Sequence, residues 1–285
     1  METFHIEKPE DRSSQPNSLV HPTAIIHPTA QISASVEIGP YAVIGENVVI
    51  KEQSKIASHA VIEYAEIGSA CQIFPHAFIG TAPQDLKYRG EKTKVIIGDG
   101  TIIRECVTVN RGTTYSGQTI IGKKCLLMAY AHVAHDCILE DEVILANSVA
   151  VAGHVRIDFA TIVGGLSGIH QFVHIGKLTM IGAGSMVPLD VPPFCTVAGD
   201  RAKIVGLNLE GMRRRHYSKN VIDAIKKIYR QVFISKKTLA QTIQNIETKL
   251  KPQDDAKKFI EFIKNSQRGI CRPRQKIDIG ATDTW

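Results

Sequence analysis

The sequence predicts a parallel β-helix, a prism of short strands wound in coils, followed by a small α-helical domain. Three observations predict it. A branched or aliphatic side chain returns every sixth residue over most of the first 190 positions. Glycine repeatedly follows that aliphatic residue. Aromatic residues are scarce at 6%, as a narrow core of stacked branched side chains requires.

Residues 1–18 form a polar N-terminal extension without an apolar h-region, so no secretory signal is expected. No apolar run approaches the roughly 18 residues a membrane span needs, and the expected compartment is the cytoplasm. The repeat region is expected over 19–200. It runs Val20, Ile26, Ile32, Ile38, Ile44, Ile50, Ile56, Ile62, then, after a one-residue deletion, Ile67, Ile73 and Ile79. It continues at Ile97, Ile103 and Val109, and runs unbroken from Ile121 to Val187. A period of six suits neither an α-helix nor an isolated strand, but it fits flat strands joined by turns. Three hexapeptides make a triangular coil of 18 residues, and coils stack at the ~4.8 Å strand spacing. Glycines 39, 45, 68, 80, 98, 122, 164, 176 and 182, each just after the aliphatic, are expected to supply positive φ at the turns.

Two polar segments, 82–94 and 110–119, interrupt the repeat and are expected to project as loops from one face. After Pro192-Pro193 the period changes. Helical spacing links Val221, Ile222, Ile225, Ile228, Tyr229, Val232 and Phe233, then Leu239, Ile243, Ile246 and Leu250, then Phe259, Ile260 and Ile263. Three helices are therefore expected within a domain over 201–270, followed by an aperiodic tail, 271–285. Cys71, Cys125 and Cys137 fall two residues before a repeat aliphatic, in a slot otherwise held by small residues, and no C-x-x-C pair occurs. They read as core fillers. The charge is divided, −6 over residues 1–200 and +12 over 201–285, so the basic final third points to an acidic partner.

Residues 18 apart lie on the same face of adjacent coils. His135 therefore lies beneath Gly153 and Gly153 beneath Gln171, while Asp136 lies beneath His154. His132 shares their first coil, and His170 adjoins Gln171. Three readings fit this cluster. Histidines can simply fill turns. They can hold a metal, although the spacing expected of such a site is absent and no metal is expected. They can supply a general base with Asp136 to orient it and the Gly153 amide as an oxyanion donor, which is the equipment of acyl transfer.

The segments AHVAHDC (131–137), LAN (145–147), AGHV (152–155), IHQF (169–172), DVPP (190–193), NLEGMRRR (208–215) and QDLKY (84–88) closely resemble the acyl-ACP–UDP-N-acetylglucosamine O-acyltransferase family. The resemblance extends from about Val20 to Arg268 with the motifs in the same order. It implies a left-handed coil and transfer of a (R)-3-hydroxyacyl group from acyl carrier protein to the sugar 3-hydroxyl, the first step of lipid A biosynthesis. By the same resemblance His135 is the general base, Asp136 its partner and Gly153 the oxyanion donor. Asp85, Lys87, His132, His154, His170 and Gln171 resemble residues that contact the sugar and diphosphate or position the acyl chain. Asn208, Glu210 and Arg214, with Arg215 close by, resemble residues around the nucleotide. Ala183 stands where relatives preferring long chains carry Gly, so a somewhat shorter acyl group is expected. The family is a homotrimer with sites between subunits. No cofactor is expected, because a thioester is already activated and the enzyme need only position, deprotonate and stabilise.

Rival readings remain at this stage. An N-acyltransferase of the same pathway usually carries an N-terminal uridine-binding domain, for which repeats beginning at Val20 leave no room. Acetyl-CoA-dependent hexapeptide transferases usually lack the helical domain. A non-catalytic scaffold or nucleic-acid binder would want exposed aromatic platforms in the basic third, where the few aromatics fall mostly at helical core spacing. No nucleic-acid partner and no integral membrane segment are expected.

Overall fold

The computed structural model describes residues 19–234, 241–243, 245–246 and 254–273. The N-terminal extension and nearly all of the predicted tail lie outside them. Two-residue strands recur every six residues, as in Leu126–Leu127, His132–Val133, Ile138–Leu139 and Ile144–Leu145. They stack in three sheets of nine, eight and ten strands among the described residues. Neighbours in a sheet pair parallel, so His132 stands against Ala150 and Val133 against Val151. The chain is a parallel β-helix.

From Glu37–Ile38 onward the two-residue strands turn their second residue inward. Ile44, Ile62, Ile103, Ile121, Leu127, Val133, Leu139, Leu145 and Val151 are fully buried, each worth roughly 1.5–3 kcal/mol when taken out of water. The residue two positions earlier is inward as well and must be small, which places Cys71, Cys125 and Cys137 in the core. Burial pushes the Cys137 thiol up to about 12 and the Cys125 thiol up to about 11. These thiols are packing groups, and none of the six cysteines is in a disulfide.

The turn geometry corrects the glycine expectation. Of the glycines that follow an aliphatic, only Gly80 has positive φ. The left-handed residue falls three places after the aliphatic and is mostly not glycine, as at Asp136 (φ 59), His154 (φ 61) and Phe172 (φ 64). Coil-to-coil hydrogen bonds hold that conformation. The N–H of His154 donates to the His135 carbonyl at 3.0 Å, and that of Phe172 to the Gly153 carbonyl at 3.1 Å. Gly122 instead answers to close approach, since a Cβ there would sit 2.6 Å from the Asp141 nitrogen of the next coil.

The insertions are shorter than expected. Lys94 begins the strand Lys94–Ile97, and Asn110, Gln118 and Thr119 lie in the strands Thr108–Asn110 and Gln118–Ile121. The loops are therefore 82–93 and 111–117. At the other end the β-domain runs past 200. Strand Cys195–Ala198 pairs antiparallel with Lys203–Leu207, which closes the stack, and position 200 falls in the turn between them.

Helix α1 (Leu209–Arg214) is capped by Asn208, whose side chain accepts from the Gly211 N–H. Helix α2 (Lys219–Phe233) is capped by Ser218 and buries Ile222, Ile225, Ile228 and Val232, matching the first predicted helix. Of the second, Ile243 and Ile246 are helical, while Leu239 and Leu250 lie outside the described residues. Helix α3 (Asp254–Asn265) matches the third. After it the chain returns to the β-helix end, where Asp190 accepts from Ser266 Oγ at 2.7 Å and its N–H donates to the Gly269 carbonyl. No described helix is long and apolar enough to cross a membrane.

Candidate active site

The corner after strand His132–Val133 presents His135 and Asp136, and the next corner above presents Gly153 and His154. The stacking expected from the repeat is realised with little slack. A Cβ on Gly153 would lie 2.8 Å from both Cε1 and Nε2 of His135. The ring therefore rests on the bare backbone of the next coil. The Gly153 N–H has no acceptor among the described residues, so it is free to donate.

His135 Nδ1 lies 2.7 Å from Asp136 Oδ2. A carboxylate accepts, so Nδ1 carries the proton and Nε2 keeps its lone pair. Asp136 is buried and saturated. Thr113 donates through its N–H (3.1 Å) and Oγ1 (2.7 Å), and Ser116 through its N–H (3.1 Å) and Oγ (2.5 Å). Burial alone would raise this carboxyl. The hydrogen bonds from Ser116, His135 and Thr113 outweigh it and bring the group down to about 2. Asp136 is thus a fixed anion that orients the imidazole and stabilises its protonated form.

His154 stacks on Phe172 with ring centroids 4.3 Å apart, and Tyr115 and His135 meet it edge-on at 4.6 and 4.9 Å. Its Nδ1 is buried without a hydrogen-bond partner and lies 3.8 Å from Asp136 Oδ2. Burial lowers its pKa, against the pull of Asp136. His132 is lowered by burial and by His135, and its Nδ1 is 2.7 Å from Thr108 Oγ1. Both rings are held toward the neutral form.

His135, Asp136 and His154 bring ligand atoms within 4.8 Å of one another, close enough for a metal. The donor set argues for a base with its orienting anion instead, because four donor groups of Thr113 and Ser116 already hold the Asp136 carboxylate besides His135, and these a cation would have to displace.

A cavity of about 770 Å³ opens on this face, lined among others by Gln84, His132, His135, Gly153, His170 and Gln171. The structure thus gathers five of the expected residues around one space. Asp85 sits in the adjacent loop, where its carboxylate accepts from the Lys87 N–H at 2.9 Å and its charge acts on His154. Lys87 is exposed. His170 Nδ1 meets Arg268 Nη2 at 2.7 Å. Asn208, Glu210, Arg214 and Arg215 are elsewhere in the same chain. Asn208 Nδ2 donates to the Leu178 carbonyl, Glu210 pairs with Arg214 at 3.0 Å, and Arg215 pairs with Glu142 at 2.7 Å. Ala183 is on an exposed corner and does not line the cavity.

Sequence reasoning missed Gln84, Thr113, Ser116, Tyr115, Phe172 and Met186. Phe172 was reachable, since it stands 18 residues above His154. Thr113 and Ser116 were not, because they lie in an insertion that obeys no period.

Fold and site together define an acyltransferase of the hexapeptide-repeat class. Residues 118–153 match the family described as bacterial transferase hexapeptide (six repeats), residues 190–271 match UDP N-acetylglucosamine O-acyltransferase, domain 2, and residues 15–120 match a GMPPB C-terminal domain. The acyl-[acyl-carrier-protein]–UDP-N-acetylglucosamine O-acyltransferase of Anaeromyxobacter sp. is 45% identical over 207 residues, 72% of this chain and 80% of the relative. That of Nautilia profundicola is 47% identical over 212 residues, 73% and 81% of the two chains. The UDP-N-acetylglucosamine O-acyltransferase of Moraxella catarrhalis superposes with a TM-score of 0.86 at 40% identity, covering 89% of this chain and 100% of its own. The chain belongs to the acyl-[acyl-carrier-protein]–UDP-N-acetylglucosamine O-acyltransferase family.

Proposed function

We propose that this protein transfers a (R)-3-hydroxyacyl group from acyl carrier protein to the 3-hydroxyl of UDP-N-acetylglucosamine, opening lipid A biosynthesis, with His135 as general base. The observation that carries this reading is the His135 ring. Its Nδ1 is committed to Asp136, and its Nε2 lies against Gly153 at the cavity wall.

In the proposed reaction Nε2 takes the proton of the sugar hydroxyl while that oxygen bonds to the thioester carbonyl carbon. The carbonyl oxygen gains negative charge and accepts from the Gly153 N–H. Collapse breaks the C–S bond, and the imidazolium returns its proton to the departing thiolate. Asp136 stays ionised throughout, well below neutral pH in its titration.

The partners follow from charge and surface. The +12 final third, with Lys219, Lys227 and Arg230 exposed on α2, suits an acidic carrier protein. An outward row of Ile102, Leu126, Ile144, Ile162 and Met180 runs in register up one sheet. Such a stripe on a prism face calls for a covering partner. We read the assembly as a cyclic homotrimer in which this face meets the His132 face of the next copy. The corner bearing His135 then approaches the neighbour's corner bearing Glu142 and Arg215. That arrangement accounts for Asn208, Glu210, Arg214 and Arg215 lying apart from His135 within one chain.

The test is acyl transfer to UDP-N-acetylglucosamine from 3-hydroxyacyl carrier protein, compared with its 3-amino analogue and with acetyl-CoA as donor. His135→Ala should lose about 10²–10⁴-fold or more in kcat/KM. Equal activity in both proteins, or activity with acetyl-CoA alone, would overturn the assignment.

A further inference from the structure

We infer that Met186 is the stop that limits the length of the acyl chain; the inference rests on the proposed acyl transfer and names the specificity determinant of that same cavity. The sheet carrying His132 presents outward, in register, His132, Ala150, Gly168 and Met186. These four span three strand spacings, about 14 Å. All four line the cavity that holds His135. Between the histidine and the methionine the floor offers one methyl group and then none, which makes a trough beside the reacting centre.

Met186 closes that trough. It is 43% exposed, yet it folds back over the bare Gly168, where a Cβ would stand 2.9 Å from Sδ and 3.7 Å from Cε. Beyond it the lining changes character to Asp200, Arg201 and Arg268. Arg268 is fixed there by the Pro188 carbonyl at 2.8 Å and by His170 Nδ1. An aliphatic tail gains by lying over Ala150 and Gly168, and loses if it pushes on into charged groups that it must strip of water. Met186 stands at that boundary. An unbranched thioether adapts its rotamers, so the stop sets a preferred length rather than a hard limit.

The experiment is the acyl-transfer assay with a series of 3-hydroxyacyl carrier proteins differing by two carbons, run on wild type, Met186→Ala, Met186→Leu, Met186→Phe and Ala183→Gly. Met186→Ala should raise kcat/KM for donors longer than the wild-type optimum at least about tenfold relative to that optimum, the scale at which one methylene is read in an apolar pocket. Met186→Leu, which keeps the volume, should hold the wild-type profile. Met186→Phe should move it to shorter chains, and this variant decides the matter if the alanine variant does not fold by thermal melt. Wild type inactive with every donor would sink the acyl-transfer reading itself. An active wild type whose profile is moved by Ala183→Gly but by neither Met186→Ala nor Met186→Phe would overturn the inference about Met186 alone.

Discussion

The His135 imidazole occupies the space in which a side chain at position 153 would begin, with Cε1 and Nε2 each 2.8 Å from the Cβ that Gly153 lacks. The glycine is not there for its backbone, since its φ is not positive. It is there because the next coil must come down onto the ring.

Gly153→Ala should therefore displace the base without unwinding the coil. A misplacement on the order of 1 Å can cost about 10²-fold in rate, so kcat/KM should fall at least that far while the thermal midpoint moves little. Measuring both on one preparation is decisive. Unchanged kinetics would mean that the ring does not act from this position.

Thr113 and Ser116 should behave as positioning residues for a group they do not share a coil with. Each hydroxyl donates to the buried Asp136 carboxylate, a kind of bond worth about 1.5–3 kcal/mol. Thr113→Val and Ser116→Ala should each destabilise on that scale in urea titrations and reduce kcat more than they raise KM. Thr113→Ser should recover most of both. A loss of stability with kcat untouched would make the loop structural only.

The pH dependence has a defined sign. Asp136 ordinarily titrates at 3.8 and is held at about 2, so its ionised form stabilises the fold above pH 3.8. That contribution fades as the pH falls from 3.8 toward 2. The unfolding free-energy difference between wild type and Asp136→Asn should be constant near neutrality and shrink below about pH 4. A gap that widens on acidification would contradict the hydrogen-bonded anion.

A site shared between copies predicts complementation. Co-expressing His135→Ala with the Arg214→Ala, Arg215→Ala double variant, on different tags, allows mixed trimers to be isolated. Those trimers contain interfaces at which an intact imidazole faces intact arginines, and they should exceed either parent homotrimer in activity. Mixed trimers no more active than the parents would place the whole site within one chain.

The six-residue period was enough to read the coil, and the 18-residue circuit enough to put His135 under Gly153 and Asp136 under His154, because parallel strands in register leave a repeat residue only one place to stand. Periodicity also marked the slots that Cys71, Cys125 and Cys137 fill. Its reach ended where the chain left the repeat. Thr113 and Ser116 come to Asp136 through a loop whose path is chosen by hydrogen bonds to a buried charge, and Arg268 reaches the cavity only because the residues after α3 return across the last coil. The left-handed turn residues lie beyond the reach of periodicity for a related reason. Composition suggested glycine, but the coil-to-coil bonds from the amides of His154 and Phe172 stabilise positive φ in residues with side chains, and those bonds exist only once the coils are stacked.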